Sequence, residues 1–261
     1  MSNDTFDINC DMGEGFGNWR MADDAAIMPL ISTANLACGF HAGDPVIMQN
    51  MVALARSAGV AVGAHPGLPD LLGFGRRVIA VSPNDLHAYI VYQVGALTGF
   101  LTAAGMTLNH VKPHGAMFLV LRDATLTDAA LDAITAAAPG AAIYWPGPAG
   151  HHPFAARAAG RGLRVCVEAY PDLEYDDDGM LVVEREKRPV DPELIYRRMV
   201  EVISRRTLTN RNGVTLPMDV ASVCVHGDGP NSLEVLAAVR RAIADRGMLV
   251  GCATRRDDGA R

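Results

Sequence analysis

The sequence is poor in lysine and has no strongly basic segment. Lys112 and Lys187 are its only two lysines among 261 residues, and the formal net charge is −6. No basic run is long enough to follow a phosphate backbone. We therefore expect no nucleic acid among the partners.

Signals for export, membrane insertion and structural zinc are also missing. The start, Met-Ser-Asn-Asp-Thr-Phe, lacks the basic and apolar regions of a signal peptide. No apolar run approaches the ~20 residues of a membrane helix. Five cysteines, an odd number without CxxC spacing, indicate reduced thiols. We expect a cytoplasmic protein that does not associate with a membrane.

No standard nucleotide-binding motif occurs. The loop from Asp11 to Gly17 contains three glycines and two carboxylates, Asp11 and Glu14. Its third glycine is misplaced for a dinucleotide fingerprint, and no Gly-Lys-Ser/Thr follows it as in a P-loop. The loop therefore offers two reactive carboxylates but matches no established phosphate-binding motif.

What the sequence does contain is a repeated alternation of strand and helix signals. Seven apolar runs predict strands, and helices follow them, several opened by N-caps such as Asp44-Pro45 and Asp191-Pro192. The predicted strands are Thr5–Cys10, Ile31–Ala37, Val60–Ala64, a run starting at Leu108, Ala141–Trp145, Leu163–Val167 and Val220–Val225. The alternation argues for a parallel sheet covered by helices.

With 49% hydrophobic residues, the length suits one large α/β domain or two small ones, and no linker or repeat divides it. We predict a single domain over residues 1–261. Seven strand–helix units favour an irregular, seven-stranded (β/α) barrel over an open doubly wound sheet, although the pattern leaves closure open. The acidic segment from Tyr170 to Lys187 predicts a hairpin or lid, and the tail after Cys252 is expected to fray.

Residues with catalytic chemistry follow successive strands. They are Asp11, Glu14, His41, His65, Lys112, His114, Glu168, His226 and Asp228. The carboxyl ends of parallel strands share one edge, where such folds build their sites. Any one histidine could be structural, but six strand ends supplying such groups predict a single site.

The stretch from Leu108 to Phe118 is the centre of this pattern. It places Lys112 between His110 and His114, beside the rigid Pro113. A lysine in an arginine-rich chain suggests a need for a compact ammonium group.

Carboxylates, imidazoles and one ammonium suit the activation of water and the polarisation of a carbonyl. No nucleophile is evident, since Cys10, Cys38, Cys166 and Cys224 fit small buried thiols better. An Asp with two His could also hold a divalent metal, but no HxxxH or HxxE spacing falls on a predicted helix.

Six segments together resemble the LamB/YcsF family, the A subunit of bacterial ATP-dependent 5-oxoprolinase. They are 7–14 (DINCDMGE), 34–44 (ANLACGFHAGD), 63–67 (GAHPG), 73–77 (GFGRR), 110–116 (HVKPHGA) and 223–230 (VCVHGDGP). The resemblance implies a barrel of the glycoside hydrolase/deacetylase type that opens 5-oxoproline to glutamate with ATP hydrolysis, working with B and C subunits. We predict as catalytic Asp11, His41, His65, Lys112 and His114, and as substrate-binding Glu14, Asn35, Asp70, Arg76, Arg77, Glu168, His226 and Asp228.

This activity fits the side chains, because a five-membered lactam is a stable amide that needs polarisation, an activated water and an energy source. Without a Walker motif, ATP would be held in an unfamiliar way or by a partner. Two alternatives stay open: a metal-dependent deacetylase-like hydrolase, and a non-catalytic subunit that binds a small molecule or regulates its partners. The complete catalytic set argues against the second alternative.

Two segments depart from the family pattern. Met117-Phe118-Leu119 stands where the family has Leu-Tyr-Asn, which removes a hydroxyl and an amide. Leu173 and Glu184 stand where the family has arginines. These losses of polar groups favour another lactam or cyclic amide as a substrate.

Overall fold

A computed structural model describes residues 5–148, 153–182 and 187–254. The strands are β1 (Thr5–Met12), β2 (Thr33–Ala37), β3 (Ala61–His65), β4 (Leu108–Val111), β5 (Ala142–Pro146), β6 (Val165–Ala169), β7 (Glu174–Tyr175), β8 (Leu181–Val182), β9 (Thr207–Thr209), β10 (Thr215–Pro217), β11 (Ser222–His226) and β12 (Leu249–Val250). The helices are α1 (Asp24–Ile27), α2 (Pro45–Ala58), α3 (Pro83–Ala103), α4 (Met117–Val120), α5 (Ala124–Ala137), α6 (Pro153–Gly160), α7 (Pro192–Arg205) and α8 (Ser232–Ala244), with 3₁₀ turns at Met28–Leu30 and Leu71–Gly73.

Seven parallel strands close into a barrel. The strands β1 to β6 pair in sequence order, β6 pairs with β11, and β11 returns to β1. The closing register runs from Asp7 opposite Ser222 to Asp11 opposite His226. The short β12 pairs with the first residues of β1. The predicted seven-stranded barrel is confirmed, including the closure that the sequence pattern left open.

The strand β1 shows why both barrel surfaces are buried. Its apolar residues Ile8, Cys10 and Met12 belong to the hydrophobic core, and the alternate residues are polar. One of these, Asp7, accepts hydrogen bonds from the hydroxyls of Ser222 at 2.6 Å and Tyr144 at 2.8 Å. Because alternate residues of a strand face opposite sides, the barrel has a polar interior and packs its apolar outside against helices.

The surrounding helices begin and end where the sequence chemistry predicts. The Asp44 carboxylate accepts from the amides of Val46 and Ile47 at the start of α2, and Gly59 ends that helix with a φ of 69°. On α3, the buried Gln93 amide pairs with both backbone groups of Gly67 at 2.9 Å, so this core amide is satisfied. No helix in the described ranges is long and apolar enough to cross a membrane.

Several elements differ from the sequence prediction. The strand β6 begins and ends two residues later than predicted, because Glu168 pairs in register with Pro146 and Ser222. Glu168 is therefore inside the strand instead of after it. Asp11, His65 and His226, also predicted to follow strands, lie within the last residues of β1, β3 and β11. The strands β7 and β8 form the predicted hairpin, whereas the β9–β10 hairpin, α4 and β12 were not predicted. The predicted start of α6 at His151 and the tail after residue 254 lie outside the described residues.

Candidate functional site

A cavity of about 150 Å³ opens at the carboxyl end of the barrel. Its lining includes Asp11, Glu14, His65, Arg76, Lys112, His114 and His226. These seven predicted residues come from β1, β3 and β11 and from the loops that follow β1, β3 and β4. The structure thus brings them to one cleft at the expected edge of the sheet.

Lys112 directly follows β4 and is almost completely buried, with 1% of its side chain exposed. Its Nζ lies 3.1 Å from Asp11 Oδ1, 3.3 Å from Glu168 Oε1 and 2.9 Å from Cys224 Sγ. Burial lowers the pKa of Lys112, but the adjacent carboxylates outweigh it and the pKa lies well above its ordinary range. The side chain is therefore a charged ammonium held within a buried ion pair.

Asp11 is held as a carboxylate. Burial alone would raise its pKa, but His65 and Lys112 hold the pKa well below the usual range. Asp11 Oδ2 lies 3.3 Å from Nε2 of His65, and His226 Nε2 is 3.9 Å away. One carboxylate oxygen thus faces an ammonium, and the other faces imidazoles at the cavity floor.

His65 and His114 face one another within this floor. His65 Nδ1 lies 2.7 Å from the carbonyl oxygen of Lys112, and His114 Nε2 lies 2.8 Å from that of Phe74. A carbonyl only accepts, so each of these ring nitrogens carries a proton and donates it. Burial lowers the pKa of both imidazoles, but Asp11 and Glu14 outweigh it at His65, whose pKa is raised, whereas the pKa of His114 lies well below its ordinary range. The two remaining nitrogens, His65 Nε2 and His114 Nδ1, are 2.9 Å apart.

Glu14 approaches the same pair. Its Oε1 lies 3.4 Å from His114 Nδ1, 4.0 Å from His65 Nε2 and 3.2 Å from His41 Nε2. Burial, with the neighbouring Asp11, raises the pKa of Glu14 to about 7. His41 is fully buried, and its ring stacks parallel on His114 with centroids 3.6 Å apart.

Two sets of donor atoms here could hold a divalent metal. Glu14, His41, His65 and His114 place one donor atom each within 4.8 Å of the others, and Asp11, Cys224 and His226 do the same. The donor residues come from different strands and loops. No short spacing in the sequence could therefore predict these candidate metal sites.

A ring of charged groups lies toward the cavity rim. Asp228 accepts from Arg76 at 3.0 Å and also pairs with Lys187. His226 Nδ1 lies 2.9 Å from Asp172 Oδ2. Two cations and an imidazole therefore border the opening, positioned by carboxylates.

The opposite side of the cavity is apolar. Phe118 packs edge-on against Trp145 with ring centroids 5.0 Å apart, and both line the cavity with Leu119, Leu173 and Leu181. Three of the residues that depart from the family pattern, Phe118, Leu119 and Leu173, therefore face the cavity. Met117, which also departs from the pattern, is buried in the core, and Glu184 lies outside the described residues.

Other predicted site residues lie beneath or beside the cavity, where their catalytic or binding roles stay predictions. Asn35 is buried below the floor and donates to Asp11 at 2.8 Å. Asp70 holds the loop after β3 by accepting from Gly73 at 2.9 Å and pairing with Arg77. His41 and Glu168 contact lining residues without lining the cavity themselves.

Sequence reasoning missed several residues of the site. Asn9 donates to Glu168 at 2.7 Å, and Tyr170 donates to Glu168 at 2.5 Å. Arg122 and Lys187 line the cavity. A signal existed for Asn9, since polar residues at positions 7, 9 and 11 repeat at the two-residue step of one strand face. Arg122 and Lys187 follow no comparable pattern.

The four cysteines at strand ends are buried, as predicted. Burial raises the pKa of the Cys224 thiol well above its ordinary range, so it stays protonated beside Lys112. A nucleophilic thiolate is not favoured there.

Comparisons with known proteins agree on one family. The family model described as the LamB/YcsF family matches residues 6–257. The 5-oxoprolinase A subunit of Syntrophobacter fumaroxidans is 43% identical, over 94% of this chain and 96% of that protein. The lactam utilization protein lamB of Emericella nidulans is 41% identical, over 90% and 93%.

A solved structure gives the same answer. The crystal structure of the lactam utilization protein from Thermus thermophilus matches with a TM-score of 0.86 and 40% identity, over 95% of this chain and 99% of that one. Both sequence and fold agree over nearly the whole length. The chain belongs to the LamB/YcsF family.

Proposed function

We propose that this chain is the A subunit of a cytoplasmic, ATP-dependent 5-oxoprolinase, which opens 5-oxoproline or a related cyclic amide by hydrolysis. The observation that carries the proposal is the buried series of Lys112, Asp11 and His65 at the floor of an accessible cavity. The names of the relatives support the same reaction class.

The proposed roles follow from the contacts. Asp11, kept ionised by Lys112, orients and polarises His65, and the two accept a proton from the attacking water. The Lys112 charge stabilises the oxyanion that develops on the lactam carbonyl. Water forms the new carbon–oxygen bond, the ring carbon–nitrogen bond breaks, and His114 passes a proton to the leaving nitrogen. The charged rim at Arg76 and His226 holds polar groups of the substrate.

We assign the use of ATP to the complex with the partner subunits. The described residues include no P-loop, and the sequence contains no Walker motif. Coupling of ATP hydrolysis to ring opening is therefore assigned to the assembly with B and C subunits, and the isolated chain should turn over 5-oxoproline poorly. A divalent metal is a separate proposal, based on the histidine cluster alone.

The apolar residues that line the cavity indicate which cyclic amide the site accepts. Unsubstituted 5-oxoproline has little apolar surface, whereas Phe118, Leu119 and Leu173 offer an apolar wall opposite the charged floor. Burying apolar surface is favourable by roughly 25 cal/mol per Å². A cyclic amide with an apolar substituent would use this wall.

To test the proposal, the chain is assayed alone and in complex with its B and C partners. Each sample receives ATP and either 5-oxoproline or a substituted lactam. Ring-opened product should appear only with partners and ATP together. Robust ATP-dependent turnover by the single chain would contradict the assignment of coupling to the partners. Absence of any lactam product from the assembled complex, with release of acetate from an N-acetyl sugar, would replace this proposal with the deacetylase-like alternative.

A further inference from the structure

The facing nitrogens of His65 and His114 present an electrostatic conflict. Both rings donate their other N–H group to a backbone carbonyl, at 2.7 Å from Lys112 and 2.8 Å from Phe74. Each facing nitrogen therefore carries a lone pair in the neutral ring, and these nitrogens are 2.9 Å apart. Asp11 Oδ2 also lies 3.3 Å from the same His65 nitrogen. Two lone pairs and a carboxylate this close repel one another, so a cation belongs between them, either a metal ion or a proton.

We propose that Glu14, His65 and His114 bind a divalent transition metal ion at the cavity floor. The three donor atoms are separated by 2.9, 3.4 and 4.0 Å. Donors bound at 2.0–2.2 Å around a tetrahedral ion stand roughly 3.3–3.6 Å apart, so small side-chain rotations would equalise the three distances. Two imidazoles and one carboxylate form a set that zinc uses in hydrolases while keeping a position open.

His41 belongs to the same cluster, but its geometry excludes it as a fourth ligand. Its ring lies parallel to that of His114, with 4° between the planes and 3.6 Å between centroids. The lone pairs of stacked imidazoles point along parallel planes and cannot converge on one ion. His41 instead faces the ligand carboxylate, with Nε2 lying 3.2 Å from Glu14 Oε1.

Every proposed ligand thus has an outer partner. Lys112 and Phe74 supply the carbonyls that fix the two imidazoles, and His41 supplies a hydrogen bond to Glu14. Such partners orient ligands and fix the tautomer in metal sites. All three ligands also line the cavity, whereas His41 does not. When bound, the ion would supply Lewis acidity toward an oxygen atom in the cavity.

Other histidines provide contrast. His110 is fully buried, with Nε2 lying 2.6 Å from Asn35 Oδ1 and Nδ1 lying 3.1 Å from Asn109 Oδ1. Both of its nitrogens have protein partners and neither faces another imidazole nitrogen. Among the described histidines, the close contact between two imidazole nitrogens is found at His65 and His114.

The experiment uses the full chain, stripped with a chelator and titrated with Zn²⁺ and Co²⁺. We expect one equivalent to bind, with a visible Co²⁺ spectrum typical of nitrogen and oxygen ligands and a raised melting temperature. His114→Ala and Glu14→Gln should weaken binding by roughly 100-fold or more, since even loss of an outer partner costs 10–100-fold. His41→Phe keeps an aromatic ring but loses the hydrogen bond, so it should weaken binding within that 10–100-fold range.

Two controls exclude adventitious binding. His87→Ala removes a half-buried histidine on α3, away from the cavity lining. The double variant His151→Ala/His152→Ala removes an adjacent histidine pair that lies outside the described residues. Both should retain one equivalent at unchanged affinity.

The competing occupant is a proton shared by the two imidazoles. If the wild-type chain binds no saturable Zn²⁺ or Co²⁺, and nitrogen NMR shows a proton shared between the two facing nitrogens, the metal proposal is overturned. Equal binding by His114→Ala would also overturn it. If His114→Ala does not fold, two other results decide whether the metal site exists. They are the number of ions bound by the wild-type chain and the change in metal affinity caused by His41→Phe.

The inference goes beyond the proposed reaction and can fail separately. A bound ion would occupy the free nitrogens of His65 and His114, and Asp11 would then carry the proton from the attacking water to the leaving nitrogen. A complex that opens a lactam without bound metal overturns only the metal site. A chain that binds one equivalent but whose complex opens no lactam supports the metal site and overturns only the proposed reaction.

Discussion

The ammonium nitrogen of Lys112 lies 3.1 Å from the carboxylate of Asp11, and 1% and 7% of these side chains are exposed. Glu168 approaches the same ammonium at 3.3 Å. Removing one partner from a buried pair leaves uncompensated charge and costs roughly 3–5 kcal/mol. We expect Lys112→Met to lower the free energy of unfolding by about that amount, measured by urea denaturation.

The other lysine supplies a matched control. Lys187 pairs with Asp228 at the rim, where Arg76 would still neutralise the carboxylate at 3.0 Å. Lys187→Met should therefore cost less than Lys112→Met, because Asp228 keeps a cationic partner. Equal losses in the two variants would contradict the structural role of the Lys112 ion pair. If Lys112→Met lost turnover but kept its free energy of unfolding, Lys112 would act only in catalysis, by stabilising the oxyanion.

The buried carboxyl group of Asp7 should make the free energy of unfolding depend on pH. Burial raises its pKa above the ordinary 3.8, although hydroxyl groups of Ser222 and its neighbours lower it in part. The folded state thus binds this proton more tightly than the unfolded state. The stability from this group is complete below pH 3.8 and is lost as the pH rises through the folded pKa.

Asp7→Asn removes the titration while hydroxyls can still pair with the amide. The unfolding free energy of the variant relative to wild type should rise with pH over that window and then stay level. Urea denaturation at several pH values tests this. Asp219→Asn, which removes a carboxylate that is 79% exposed, is the control. A difference between Asp7→Asn and wild type that stays constant with pH would contradict the prediction.

Gly75 allows the imidazoles of His41 and His114 to stack. Its φ is +63°, and a Cβ there would lie 2.7 Å from both His114 Cδ2 and His41 Cβ. Gly59 has a similar φ of +69° but open space around it. Gly59→Ala should therefore cost only the roughly 1–2 kcal/mol of the left-handed conformation.

Gly75→Ala should cost that amount plus roughly 1–3 kcal/mol for the clash. It should also weaken metal binding, because His114 must move. Thermal and urea unfolding of both variants, with Zn²⁺ titration, measure these effects. A Gly75→Ala variant that matches Gly59→Ala in both stability and metal affinity would show that the close contact is unimportant.

Phe118 and Leu173 should determine which lactams are accepted. The paired change Phe118→Tyr and Leu173→Arg adds a hydroxyl and a cation to the apolar wall. We expect kcat/KM for a lactam with an apolar substituent to fall relative to 5-oxoproline by roughly 10–200-fold, the range for changes in an apolar pocket. Steady-state assays of the assembled complex with both substrates give the ratio. An unchanged ratio would mean that the substrate does not touch this wall.

Much of the fold was predictable because its signals are local. The caps Asp44 and Gly59 act within a few residues, and the strand periods of β1 can be seen in sequence. The end of β6 was misplaced because its pairing with β11 depends on residues more than 50 positions away. The β9–β10 hairpin is only three residues long on each side, too short for a clear pattern.

The site was predictable to the extent that strand ends define it. His65 and Lys112 reach the cavity because strands β3 and β4 end beside each other. Orientation was not predictable: Lys112 turns inward to Glu168, and Arg77 turns away to Asp70. These directions depend on partners distant in sequence, so residue type and spacing could not separate lining residues from supporting ones.

The polar interior of the barrel has a consequence for biosynthesis. Asp7 receives a hydrogen bond from Ser222, 215 residues later, and Asn9 donates to Glu168, 159 residues later. Buried polar groups are costly until they are paired. A nascent chain on the ribosome therefore cannot complete its first strand until β11 has left the exit tunnel. Chaperones that shield incomplete chains should act on this protein until translation is nearly finished.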